Sequence, residues 1–86
     1  MKTLLLFGML LAAVPAGAKG KARPSITMEE ARATALARIP GTVKKAELEE
    51  EKGLLIYSFD IRDKSGQIME VQVDAKSGAV VSVERE

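Results

Sequence analysis

Leu55-Ile56-Tyr57-Ser58-Phe59-Asp60-Ile61-Arg62 decides the fold. Large apolar residues at 55, 57, 59 and 61 alternate with a more polar set at 56, 58, 60 and 62. A period of two is the mark of a strand with one face buried. Tyr57 and Phe59 are the only aromatic residues after the first eighteen. They share the apolar face, which assigns them to core packing rather than to an exposed platform. The Tyr57 hydroxyl is expected at the sheet margin, where it can find a partner.

The same period continues on both sides. Met69, Val71 and Val73 alternate with Glu70, Gln72 and Asp74, and Val81 and Val83 with Ser82 and Glu84. Upstream, Val43 to Glu50 is less regular, with Ala46 and Leu48 on one face and Lys45, Glu47 and Glu49 on the other. Glu51-Lys52-Gly53, Lys64-Ser65-Gly66 and Lys76-Ser77-Gly78 separate the strands. Each ends in Gly, which suits a three- to five-residue hairpin loop with a positive φ. Four antiparallel strands in a meander follow.

Before the strands the period is helical. Met28, Ala31, Ala35, Leu36 and Ile39 form one stripe. Thr27 and Glu30 have the spacing of a capping box, with Ile26 and Ala31 placed for a hydrophobic staple. Glu29, Glu30 and Arg38 complement the helix dipole, and Pro40-Gly41 ends the helix. Two of the stripe residues are Ala, so the helix can lie close to what it covers. The expected architecture is α+β in two layers, one N-terminal helix on a four-stranded antiparallel meander. Its predicted core is that stripe with Leu48, Leu55, Tyr57, Phe59, Ile61, Met69, Val71, Val73, Val81 and Val83.

The chain opens on Lys2, an apolar run from Leu4 to Val14, Pro15, and then Ala16-Gly17-Ala18. This is the order of a secretory signal peptide, with cleavage after Ala18. Eleven apolar residues make roughly 16 Å of helix, about half of a hydrocarbon core. The expected division is 1–18 signal peptide, 19–25 basic flexible lead-in and 26–86 folded domain, in an exported protein, periplasmic or secreted. From Lys19 onward there are twelve basic and twelve acidic residues. That balance points to neither nucleic acid nor an anionic membrane as partner.

The chain has neither Cys nor His. The common nucleophile, base and metal-ligand sets are therefore missing, and a domain this small has little room for an enclosed pocket. The expectation is no enzyme, no cofactor and no metal.

The order of features resembles the PepSY family, named for peptidase propeptides and a spore-germination protein. The matching stretches are Ile26-Thr27-Met28-Glu29-Glu30-Ala31, Gly41-Thr42-Val43, Leu55 to Ile61, and Val71-Gln72-Val73-Asp74-Ala75-Lys76-Ser77-Gly78-Ala79-Val80-Val81. The last looks like the family's closing hairpin. The resemblance implies a helix on a small antiparallel sheet, and a module that binds protein or peptide, modulating or inhibiting a peptidase or another envelope protein. Two other readings stay open: a structural or stress-related periplasmic protein with no peptidase target, and a weak metal or small-ligand binder.

Three groups of residues are candidates for a role. Asp74, Ser77 and Gly78 form a turn motif, with the Asp74 carboxylate accepting turn amides. Glu47, Glu49, Glu50 and Glu51 form an acidic run, but strand alternation sends them to opposite faces, as on a solvated edge strand. The last strand is short and apolar until Glu84. If the strands pair in order it is a sheet edge, and Val80, Ser82 and Glu84 would face away from the core, open to a partner or to a second copy as a homodimer.

Overall fold

The computed structural model describes residues 23–86. The predicted signal peptide and most of the basic lead-in lie outside the described residues. The element order is α1 (Met28–Arg38), β1 (Gly41–Glu51), β2 (Leu54–Asp63), β3 (Ile68–Asp74) and β4 (Val80–Arg85). The strands pair antiparallel in sequence order, β1-β2-β3-β4, with α1 packed on β2 and β3. This is the expected two-layer α+β meander.

The helix starts where its cap predicts. The Thr27 hydroxyl accepts the Glu30 amide at 3.0 Å, and the Glu30 carboxylate accepts the Thr27 amide at 2.9 Å. Two otherwise orphaned donors are thereby satisfied. Ala31 and Ala35 are fully buried against the sheet. The Tyr57 hydroxyl donates to the Ile26 carbonyl at 2.8 Å, tying the helix entrance to the central strand. After Pro40 the chain reverses closely enough that a Cβ on Gly41 would overlap the Arg62 carbonyl oxygen, so this position has room only for Gly.

The hairpin glycines Gly53, Gly66 and Gly78 all have positive φ, as expected. The first turn is tighter than predicted. Glu51 pairs with Leu54, so Lys52-Gly53 alone makes the turn, and both residues have positive φ. That is the two-residue arrangement whose twist matches the flanking strands.

Phe59, Ile61, Val71 and Val73 are the largest fully buried side chains, joined by Tyr57, Ala31, Ala35 and Ala75. Met28, Leu36, Ile39, Leu55 and Val83 pack against them as predicted. Leu48 and Val81 do not belong: they are 45% and 46% exposed. Met69 is half-buried, outside the central cluster. Leu48 shares the helix-side face with its partner Tyr57, but it stands on edge strand β1, whereas α1 covers β2 and β3. An eleven-residue helix is roughly 16 Å long and an eleven-residue strand about twice that, so part of the inner face stays uncovered.

Val81 is exposed for a different reason. Val73 pairs with Val80 and Gln72 with Ser82, which leaves Val81 as the extra residue of a β-bulge. The bulge shifts the alternation by one, so Val80 packs on the core with Val83. The expectation that Val80 faces away from the core and Val81 into it is thus reversed.

Candidate functional site

β4 is the last strand of the sheet, and among the described residues no strand pairs with its outer edge. Of the three residues expected there, Ser82 and Glu84 lie on the face opposite the helix, in register with Gln72 and Glu70. The Ser82 hydroxyl donates to Gln72 Oε1 at 2.9 Å. Val80 lies on the other side, and the exposed apolar residue at this edge is Val81.

The turn motif leading into β4 is closed by its own hydrogen bonds. Asp74 Oδ1 accepts the amides of Lys76 at 2.7 Å and Ser77 at 3.1 Å, while the Gly78 amide donates to the Asp74 carbonyl. Ser77 Oγ in turn accepts the Ala79 amide. The preceding turn repeats the device. Asp63 Oδ1 accepts the Ser65 amide and hydroxyl and the Gln67 amide.

The face without a helix carries the feature that reading along single strands misses. Glu47 and Glu49 do point together, away from Glu50. The pairing then brings Asp60, Glu70 and Glu86 beside them. A recess of about 180 Å³ is lined by Lys45, Glu47, Glu49, Ser58, Asp60, Glu70 and Glu86. Register links Lys45 to Asp60, Asp60 to Glu70 and Glu70 to Glu84, one residue from each strand. The Glu86 amide donates to the Ile68 carbonyl, which holds the chain end against β3. Ser58 is 6% exposed and donates its hydroxyl to Glu70 Oε2 at 2.9 Å. Lys45 contacts Glu47 at 3.6 Å, an exposed pair of small value.

Asp60, Glu70 and Glu86 each offer a carboxylate oxygen, all within 4.8 Å of one another. Three carboxylates are a donor set that a hard cation accepts. Repulsion is the direct consequence of their closeness. The charges of Asp60 and Glu70, with some burial, raise the Glu86 pKa, and a hydrogen bond with Glu47 is the main cause of a raised Glu49 pKa.

The turns act in the opposite sense. The Ser65 hydroxyl and the turn amides lower the Asp63 pKa, and the Lys76 and Ser77 amides lower that of Asp74. A lowered carboxyl contributes stability above its ordinary range and loses it as pH falls through the lowered value. A raised carboxyl contributes at low pH and loses that contribution as pH rises through the raised value. Thermal melts across the acid range should therefore respond oppositely to two variants. Asp74→Asn removes part of the fall on the acid side. Glu86→Gln removes part of the loss as pH climbs beyond the ordinary glutamate range near 4.3. Melts of Glu86→Gln that parallel the parent at every pH would mean the recess carboxylates do not repel one another.

No described helix is long and apolar enough to cross a membrane. No solved structure matches the chain. Over 60 residues it is 38% identical to the uncharacterized protein YkoJ of Bacillus subtilis (strain 168). That stretch is 70% of this chain and 35% of the relative, so the match spans about a third of the relative's length. The model of the PepSY family, described as the peptidase propeptide and YPEB domain, matches residues 25–84, from just before the helix cap to Glu84 in β4. A match that takes in the helix and almost the whole sheet makes the chain a member of the PepSY family.

Proposed function

We propose that this is an exported, non-catalytic propeptide-like module that holds a peptidase or another envelope protein through the open edge of β4. The observation that carries the reading is that edge, in a domain whose family is described by its occurrence in peptidase propeptides. An edge strand offers unpaired backbone donors and acceptors, and an extended segment can satisfy them by adding as a fifth strand. The other edge, β1, carries Lys44, Lys45, Glu47, Glu49 and Glu50, the charges that discourage such pairing.

Export is supported by the leader pattern. Mass spectrometry of the exported protein should show loss of Met1 to Ala18, and an intact chain in the membrane fraction would refute it.

Binding is tested by pull-down from the exported fraction, followed by assay of any retained peptidase with the purified domain added in trans. Val81→Lys is the informative variant. Val81 is exposed at the bulge, so the substitution should leave folding unchanged while weakening capture and inhibition. Val80→Lys would not serve, because Val80 packs on the core. Undiminished binding by folded Val81→Lys would take the start of the edge, at the bulge, out of consideration and leave only Ser82 to Arg85.

A further inference from the structure

We infer that the segment added at β4 carries Lys or Arg opposite Glu84 and an apolar residue beside it, on the helix side. This rests on the edge reading above and names the chemistry of its partner. Residues directly opposite one another in a sheet share a face, and like charges there are unfavourable. On the outer face the row across the four strands is Lys45, Asp60, Glu70, Glu84. Lys45 closes one end with a positive charge. The other end runs through three carboxylates to the open edge, with Glu86 close to Asp60 and Glu70. Arg62 is also on this face, but one row away, with Ile68 between it and the end of the chain. The raised Glu86 pKa is the same surplus of negative charge seen from one of its members. A fifth strand extends the row by one position, and a cation there faces Glu84 as Lys45 faces Asp60.

The neighbouring row on the inner face is Ala46, Phe59, Val71, Val83, apolar throughout. Its extension asks for an apolar side chain. The bulge at Val81 interrupts the edge near its start, so Ser82 to Arg85 is the stretch left regular enough to pair.

The test uses two blocked heptapeptides with Val at odd positions and Thr at even ones, the central residue being Lys in one and Glu in the other. They are titrated at low salt into the protein while the backbone amides are followed by NMR. Expected shifts concentrate at Ser82 to Arg85, and the Lys peptide binds about five-fold more tightly than the Glu peptide. Added salt should shrink that ratio, and the double variant Glu70→Gln, Glu84→Gln should bring it near one. The side-chain amide introduced by Glu70→Gln keeps an acceptor for the Ser58 hydroxyl, so the variant is expected to fold. Equal binding of both peptides at β4 would overturn the charge assignment and leave the edge reading standing. No shift on β4 with either peptide would overturn both.

Discussion

Phe59→Ala should abolish the cooperative melting transition or lower its midpoint by about 12–40 °C. The ring is fully buried on the central strand, with Ala46 and Val71 opposite it on the neighbouring strands and Tyr57 stacked at 6.5 Å. Truncating a buried Phe costs about 3–5 kcal/mol, and each kcal/mol moves the midpoint of a small domain by about 4–8 °C. Domains of this size hold little in reserve, and the chain has no cysteine with which to add a disulfide. Leu54→Ala is the control. Leu54 is 51% exposed beside the first turn, so its truncation should stay within about 0.5 kcal/mol of the parent. Circular dichroism melts of the three proteins decide the matter. A Phe59→Ala midpoint within a few degrees of the parent would mean that the helix covers the other face.

Where local chemistry repeats over several residues, the chain can be read directly. The capping box, the Pro-Gly break and the 55–62 alternation each involve neighbours in sequence. The first two appear in the structure where they are expected. The third places Tyr57, Phe59 and Ile61 in the core, but Ile56 and Ser58 on the opposite face are buried as well, so this part of the strand is not open on one side. Reading fails where a single residue shifts the phase. Lys44 and Val81 are both extra residues in bulges. Nothing in Gly78-Ala79-Val80-Val81 distinguishes the valine that packs from the one that bulges, because both suit a strand and differ only in pairing. The Asp74 turn is legible because its acceptor and donors are two and three residues apart. Asp63 has the same spacing to Ser65, and reading that loop for its glycine alone passes over the equivalent role.

The acidic recess belongs to a third kind. None of its strands looks unusual alone, since acidic residues on an exposed strand face are common. The cluster exists only once register sets Asp60 against Glu70 and Glu70 against Glu84. The loop lengths carry that information. A two-residue turn at Lys52-Gly53 fixes the first pairing, and the Asp63–Gln67 turn fixes the second, so counting back from each turn aligns Lys45, Asp60 and Glu70.

Ala35→Leu tests how closely the helix must lie on the sheet, and it should be the second most damaging of these changes. Ala31 and Ala35 are one turn apart and both fully buried, so the helix meets β2 and β3 through two of its four alanines. Leu adds three carbons at a site with no free surface, and either the helix lifts or the side chain leaves its preferred rotamer. Overpacking of this kind costs about 1–3 kcal/mol. Intrinsic helix propensity hardly distinguishes Leu from Ala, so a loss cannot be assigned to the helix itself. Ala37→Leu makes the same exchange at an exposed position on the same helix and should be close to neutral. The difference between the two melting midpoints therefore isolates the contact with the sheet. Lifting the helix would also pull on the Tyr57–Ile26 hydrogen bond, so the Ile26 carbonyl environment should change in Ala35→Leu and not in Ala37→Leu. If both Leu variants melt with the parent, the helix rides higher on the sheet than two buried alanines imply, and the inner face has room for a larger residue.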